Sequence, residues 1–394
     1  MNATRVRTTS GLAALLDTAA PAFRALTPYA LLAVVGVELA LLTAFLPDTA
    51  DRFVHGPSGD FHNLYEPAHN RELPGLYNPF LVIVLYPIAL LPEMGAYRVF
   101  FGLNIVSLVA IALLMQGGVR SLEAKVAVAL APLALPQVHW ALRLGHVTPM
   151  IALLLIASLL LLRTRPQRAA ALLAFVSIKP QYLIAPLLFL CWKRRFRLAS
   201  ITITTSALLA GAGFTVIGPD SVRQFVSYYL DWGPNSTDNL LPVQQSWMIS
   251  WTGFQLSLGH QANPLLTLDL IILSVAVALF AWVRTDSAGS AAVTGLMLIP
   301  LTPYAQFYDG ALVLVAIALI LRTDVPAVVR GALSAALYLA AIVTQAGIPF
   351  PVKDVLGPAH SNGVYWLAPA MVLAAVIFAV LGRRRNGTED GAAW

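Results

Sequence analysis

Five titratable side chains crowd the stretch HGPSGDFHNLYEPAHN: His55, Asp60, His62, Glu66 and His69. Carboxylates and imidazoles at this density suit general acid–base work or metal ligation. A carboxyl held against an apolar wall is raised toward the range where it can take a proton from a hydroxyl. The competing reading is a solvated loop in which Asp60 caps a helix and the histidines face water. No Cys/His set has metal-site spacing and Cys191 is the single cysteine, so neither zinc nor redox chemistry is expected.

A second group lies far along the chain. Lys179 precedes Pro180 in the middle of the apolar run Ala169–Trp192. An ionisable residue between apolar segments needs a partner, and its functional reading is an anion contact, most naturally a phosphate. Snorkelling toward the interface is the alternative. Arg143 and His146 occupy a short segment, HWALRLGHVTPM, between two apolar runs, where they read as substrate contacts or as interface anchors. Tyr304, Gln306, Tyr308 and Asp309 follow a proline break in IPLTPYAQFYDG. Aromatic and amide groups facing a cavity suit sugar or headgroup recognition, against an aromatic belt as the plainer reading.

The elements that must position these residues are membrane helices. The 394 residues are 58% hydrophobic and 11% charged, with a mean hydropathy of +0.74. Soluble domains carry roughly 25% charged residues, so the chain reads as an all-α, polytopic integral membrane protein. The net charge of +6 does not call for a nucleic acid, because its basic clusters flank apolar runs: Arg163, Arg165 and Arg168, Lys193 to Arg197, and Arg383 to Arg385. The expected spans are Tyr29–Leu46, Gly95–Gln116, Lys125–Gln137, Val147–Leu162, Ala169–Trp192, Leu198–Ile217, Pro264–Val283, Ala291–Ile320, Val328–Ala346 and Gly363–Leu381. Pro79–Leu91 is too short to cross and reads as a juxtamembrane or re-entrant piece.

Prolines are expected to break Ala169–Trp192 at Lys179-Pro180 and Ala291–Ile320 at Pro300 and Pro303. Broken backbone at membrane depth is tolerated only where protein or a water-filled cavity covers it, so both breaks point to a shared cavity. The basic clusters place both termini in the cytoplasm. On that topology the chain is one membrane domain with a cytoplasmic segment 1–28, a first outer loop 48–78, a long outer loop 218–263 and a cytoplasmic tail 383–394.

The motifs, in order, are GDF at Gly59–Phe61, LYNPF at Leu76–Phe80, RLGHVTP at Arg143–Pro149, SIKPQ at Ser177–Gln181, QQSW at Gln244–Trp247 and LTPYAQFYDG at Leu301–Gly310. This series resembles glycosyltransferase family 87, a group of polyprenol-phosphate-dependent enzymes of the GT-C type that includes mycobacterial phosphatidylinositol-mannoside mannosyltransferases. The resemblance implies a GT-C fold of about ten to twelve transmembrane helices with re-entrant pieces. It also implies transfer of a hexose such as mannose from a polyprenyl-phosphate sugar to a lipid-linked or glycan acceptor, in the cell membrane and on its non-cytoplasmic side.

Asp60 matches the family's catalytic base, and Lys179, with Arg143, is the expected donor-phosphate contact. His62, Tyr77, Asn78, His146, Gln181, Gln245, Tyr304, Gln306 and Tyr308 are the expected pocket. The sequence departs from the family pattern at His146 and Thr148, and in the late motif, where a histidine is common. No metal ligands or cofactor are expected; a divalent metal is compatible with the chemistry, but fixed cations can do its work. A lipid-linked sugar flippase and a non-catalytic relative are the competing readings, the first because broken helices and a mid-membrane lysine also occur in transporters.

Overall fold

The computed structural model describes residues 11–56, 59–74, 77–231, 248–258, 263–346 and 366–381. In chain order the α-helices are α1 (Gly11–His55), α2 (Gly59–Asn70), α3 (Phe80–Ala89), α4 (Glu93–Gln116), α5 (Leu122–Ala134), α6 (Pro136–Leu144), α7 (Thr148–Leu161), α8 (Pro166–Ala174), α9 (Ile184–Trp192), α10 (Phe196–Ile217) and α11 (Asp220–Asp231). They continue as α12 (Trp251–Ser257), α13 (Pro264–Arg284), α14 (Ser287–Leu296), α15 (Val313–Ile320), α16 (Ala327–Ala346) and α17 (Leu367–Leu381). Short 3₁₀ turns at Phe175–Ile178, Pro180–Leu183 and Phe307–Leu312 stand between them. Among the described residues there is no strand, only an isolated bridge pairing Met248 with Gln306.

Burial runs from the middle of the bundle outward. Every residue of α15 is buried, as expected of a helix that is apolar on all sides. Around it pack α14, α7, α4 and α16, while α1, α10 and α13 present apolar faces outward, including Leu32, Leu208 and Leu265. Such faces are stable only against lipid. α10 packs closely on α3 and α8, and a Cβ at Gly213 would run into the backbone of Pro79, so only glycine allows that approach.

Among the described residues, five helices are long and apolar enough to cross a membrane, and six if the bent pair α5–α6 is one span. Helices of crossing length among the described residues therefore number fewer than the expected ten to twelve. Shorter apolar helices of 10–17 residues, counting the 3₁₀ turns that adjoin α8, α9 and α15, form much of the rest, α3 among them. Prolines supply the reason. Leu135, before Pro136, is extended at φ −68°, ψ 121°, and α5 and α6 meet at 41°. Lys179, before Pro180, is likewise extended at φ −118°, ψ 90°. A residue preceding proline is driven out of the helical region, so both helices stop there. The breaks at Lys179-Pro180 and between α14 and α15 fall where the prolines place them.

Candidate active site

Lys179 and Asp309 meet where the two breaks face each other. The Lys179 Nζ lies 3.0 Å from Asp309 Oδ1 and 3.3 Å from Oδ2, both side chains being almost fully buried. Asp309 also accepts a hydrogen bond from Thr148 Oγ1 at 2.8 Å and, through Oδ2, one from the Gln306 backbone N–H at 3.0 Å. That last bond belongs to a capping box that starts the 3₁₀ turn at Phe307. The carboxylate thus serves both as the lysine's counter-ion and as the local fold's cap.

A chain of polar contacts leads outward from the pair. Thr148 Oγ1 is 2.7 Å from His146 Nδ1, and His146 Nε2 is 2.8 Å from the Tyr77 hydroxyl. The His146 ring lies over Tyr308, centroids 3.8 Å apart. Tyr308 and Tyr304 both hydrogen-bond the Gln306 side chain. Tyr77, Tyr182 and Tyr308 surround the Lys179 ammonium at 4.9–5.8 Å from their ring centroids, a cation–π cage that offsets part of its desolvation.

Asp60 approaches from the first turn of α2, an amphipathic helix whose buried stripe is Phe61, Leu64 and Ala68. Phe61 packs on Tyr97 and Phe100 of α4, with ring centroids 5.4 Å apart in each case. It also lies against Gly145, which ends α6 in the left-handed conformation at φ 66°. A Cβ at Gly145 would sit 2.6 Å from the Phe61 Cβ, so glycine is needed there both for its backbone and for the space. On its outer side α2 is fastened by Tyr65 O–H donating to the Leu91 carbonyl, by His69 Nδ1 at the Ala89 carbonyl and by His62 against Glu93.

The Asp60 carboxyl has no hydrogen-bond or ion-pair partner among the described residues, yet it lies in the field of Lys179 and Asp309. Partial burial pushes it above the usual carboxylate range, Asp309 adds to the rise, and Lys179 opposes it. The helix N-terminus favours its charged form in turn.

Several expectations change. His62, expected in the pocket, lies outside it between Glu66 at 3.1 Å and Glu93 at 3.0 Å, because two residues apart on a helix puts it on a different face from Asp60. Those carboxylates hold its imidazole above its ordinary pKa. Arg143 turns away from the cluster toward α1, ion-paired with Asp48 and stacked over Trp140 at 4.6 Å. It is therefore not in place as a donor-phosphate contact. Asn78 is buried as a bracket: its N–H donates to the Ile178 carbonyl, its Nδ2 to Ser177 Oγ, and its Oδ1 receives the Phe80 N–H. It holds the backbone beside Lys179 rather than lining a pocket.

Lys179, expected as an anion contact in need of a partner, is paired with Asp309. Gln181 is half-buried just past the break, and Gln245 lies outside the described residues. Tyr77, His146, Tyr304, Gln306 and Tyr308 do gather around the ion pair. Sequence reasoning missed the roles of Asp309, Thr148 and Tyr182. The signal for Asp309 was present, since a second ionisable residue at a proline break in an apolar run is the natural partner of the first.

A family model described as "Glycosyltransferase family 87" matches residues 76–303, more than half of the chain. The matched segment begins after Asp60 and ends one residue before Tyr304. Searches of curated proteins and of solved structures found no match.

Proposed function

The chain belongs to glycosyltransferase family 87 and is a membrane glycosyltransferase, and from that premise we propose that Asp60 is its general base. The reading extends to a GT-C arrangement, a polyprenyl-phosphate sugar as donor, mannose as the sugar, a lipid-linked or glycan acceptor, and a site on the non-cytoplasmic side of the cell membrane with both termini in the cytoplasm. The single observation that carries the Asp60 assignment is its setting: a carboxyl unpartnered among the described residues, raised by burial and in the field of their only buried ion pair.

The reaction is one inverting displacement. The Asp60 carboxylate takes the proton of the acceptor hydroxyl, the hydroxyl oxygen bonds to the anomeric carbon, and the bond from that carbon to the phosphate oxygen breaks. Its electron pair leaves with the polyprenyl phosphate. Lys179 faces the growing charge with N–H groups that Asp309 has already oriented, the preorganised electrostatic contribution on which such transfers depend. Tyr304, Gln306 and Tyr308 offer the hydroxyl and amide groups that fix a sugar. No step requires a metal, and among the described residues no group of His, Cys, Asp and Glu is arranged to hold one.

Asp60→Asn keeps the shape of α2 and removes the base. Transfer from a labelled polyprenyl-phosphate sugar should fall by about 10²-fold or more, while donor binding is retained; turnover near that of the parent protein would overturn the assignment. Buried charges at broken segments also occur in transporters. Labelled donor crossing a vesicle membrane without forming a new linkage would favour that second reading.

A further inference from the structure

A cavity of about 1170 Å³ opens at the end of the bundle away from Asp60. Helix α4 sets the separation: Glu93 in its first turn meets His62 of α2, whereas Gly117–Arg120, just past its last turn, border the cavity. Twenty-four helical residues lie between, about 36 Å along the axis.

The walls are apolar, with Val34 and Val37 from α1, Val128 and Ala131 from α5, and Leu339 and Ile342 from α16. Val37 and Leu339 are 49% and 59% exposed, so the side between α1 and α16 is open to the bilayer. The mouth carries Arg120, Arg322 and Arg330. Arg322 donates through Nε and Nη2 to the Leu114 carbonyl, and Arg330 through Nη1 to the Leu321 carbonyl. No carboxylate lies within ion-pair distance of the three among the described residues, although Asp324 shares the mouth. Backbone carbonyls thus hold two guanidinium groups in place and leave their charge unneutralised. Deeper in the wall Glu38 is buried with Oε2 unbonded.

Apolar walls, a side open to lipid and a cationic mouth complement one kind of ligand, an amphiphile bearing phosphate. The volume exceeds the roughly 300–1,000 Å³ of a small-molecule pocket, which disfavours a free sugar or a soluble phosphate ester. We infer that the cavity holds an anionic membrane phospholipid, its phosphate on Arg120, Arg322 and Arg330 and its chains between α1 and α16. The bilayer itself supplies such a lipid at high local concentration, which favours it over a scarce polyprenyl phosphate. The inference is independent of the role given to Asp60.

Native mass spectrometry of the full chain in mild detergent, with phosphatidylglycerol and phosphatidylcholine offered in equal amounts, tests it. Phosphatidylglycerol should be retained in preference. Arg120→Gln, at an exposed side chain with no hydrogen bond among the described residues, should weaken that retention about fivefold. Gly331 lies on the lining, and a Cβ there meets nothing within 4 Å. Gly331→Phe should therefore project a ring into the space and weaken retention without lowering the unfolding temperature of the lipid-free protein. Equal retention of the two lipids would overturn the proposal. So would phosphatidylglycerol retention unchanged by Gly331→Phe, displacement of phosphatidylglycerol by polyprenyl phosphate, or no lipid binding at all.

Discussion

At Asp60 burial and Asp309 favour the protonated carboxyl, and Lys179 favours the charged one, with the upward influences prevailing. A general base works only when deprotonated, so turnover should rise with pH as Asp60 loses its proton and fall as pH drops through its raised pKa. The acid limb of kcat/KM should accordingly lie above the ordinary carboxylate range. A rate already flat at pH 4 would separate that limb from Asp60. The residue was legible in the sequence as a carboxylate in a histidine-rich stretch. Its isolation from His62 was not, because a segment read as a loop is a helix in which neighbours two apart diverge. Pro67 inside α2 obscured that helix.

Among the elements, the Lys179–Asp309 pair joins two broken segments 130 residues apart in sequence. Losing one partner strands a buried charge, whereas losing both removes the desolvation penalty with the attraction. Asp309→Ala should therefore destabilise by about 3–5 kcal/mol, and Lys179→Met with Asp309→Leu by clearly less, as read from unfolding temperatures in detergent. Additive losses would show that the pair is not a stabilising unit. Both breaks were legible from Pro180, Pro300 and Pro303. The pairing across them was not, since the sequence offers each break without the geometry that turns one toward the other.

A second element-level dependence runs through Gly145, where α6 ends against Phe61 of α2. Gly145→Ala places a side chain in a left-handed backbone, at about 1–2 kcal/mol for the conformation alone, and presses on the helix that carries Asp60. Lowered unfolding temperature together with reduced kcat is expected. Unchanged kcat would mean that α2 tolerates displacement.

Across the whole molecule, chemistry is divided between two ends. One holds the carboxyl and the ion pair, the other three arginines around an apolar cavity. Apolar runs made the helical membrane character of the chain readable, from Tyr29 to Leu381. What they concealed was how many runs are short. A helix covered by neighbouring protein on every side, as α15 is, needs no bilayer-spanning length, and composition alone does not distinguish a run that faces lipid from one that faces protein.

The fastening of α2 has one more consequence. This helix lies outside the long apolar helices and is clipped at its outer side by His62, Tyr65 and His69 to Glu93 and to two carbonyls that follow or end α3. Because Asp60 rides on this helix, any displacement of α2 moves the base with it, and the three outer contacts together with the packing of Phe61 fix where the carboxyl stands relative to Lys179 and Asp309.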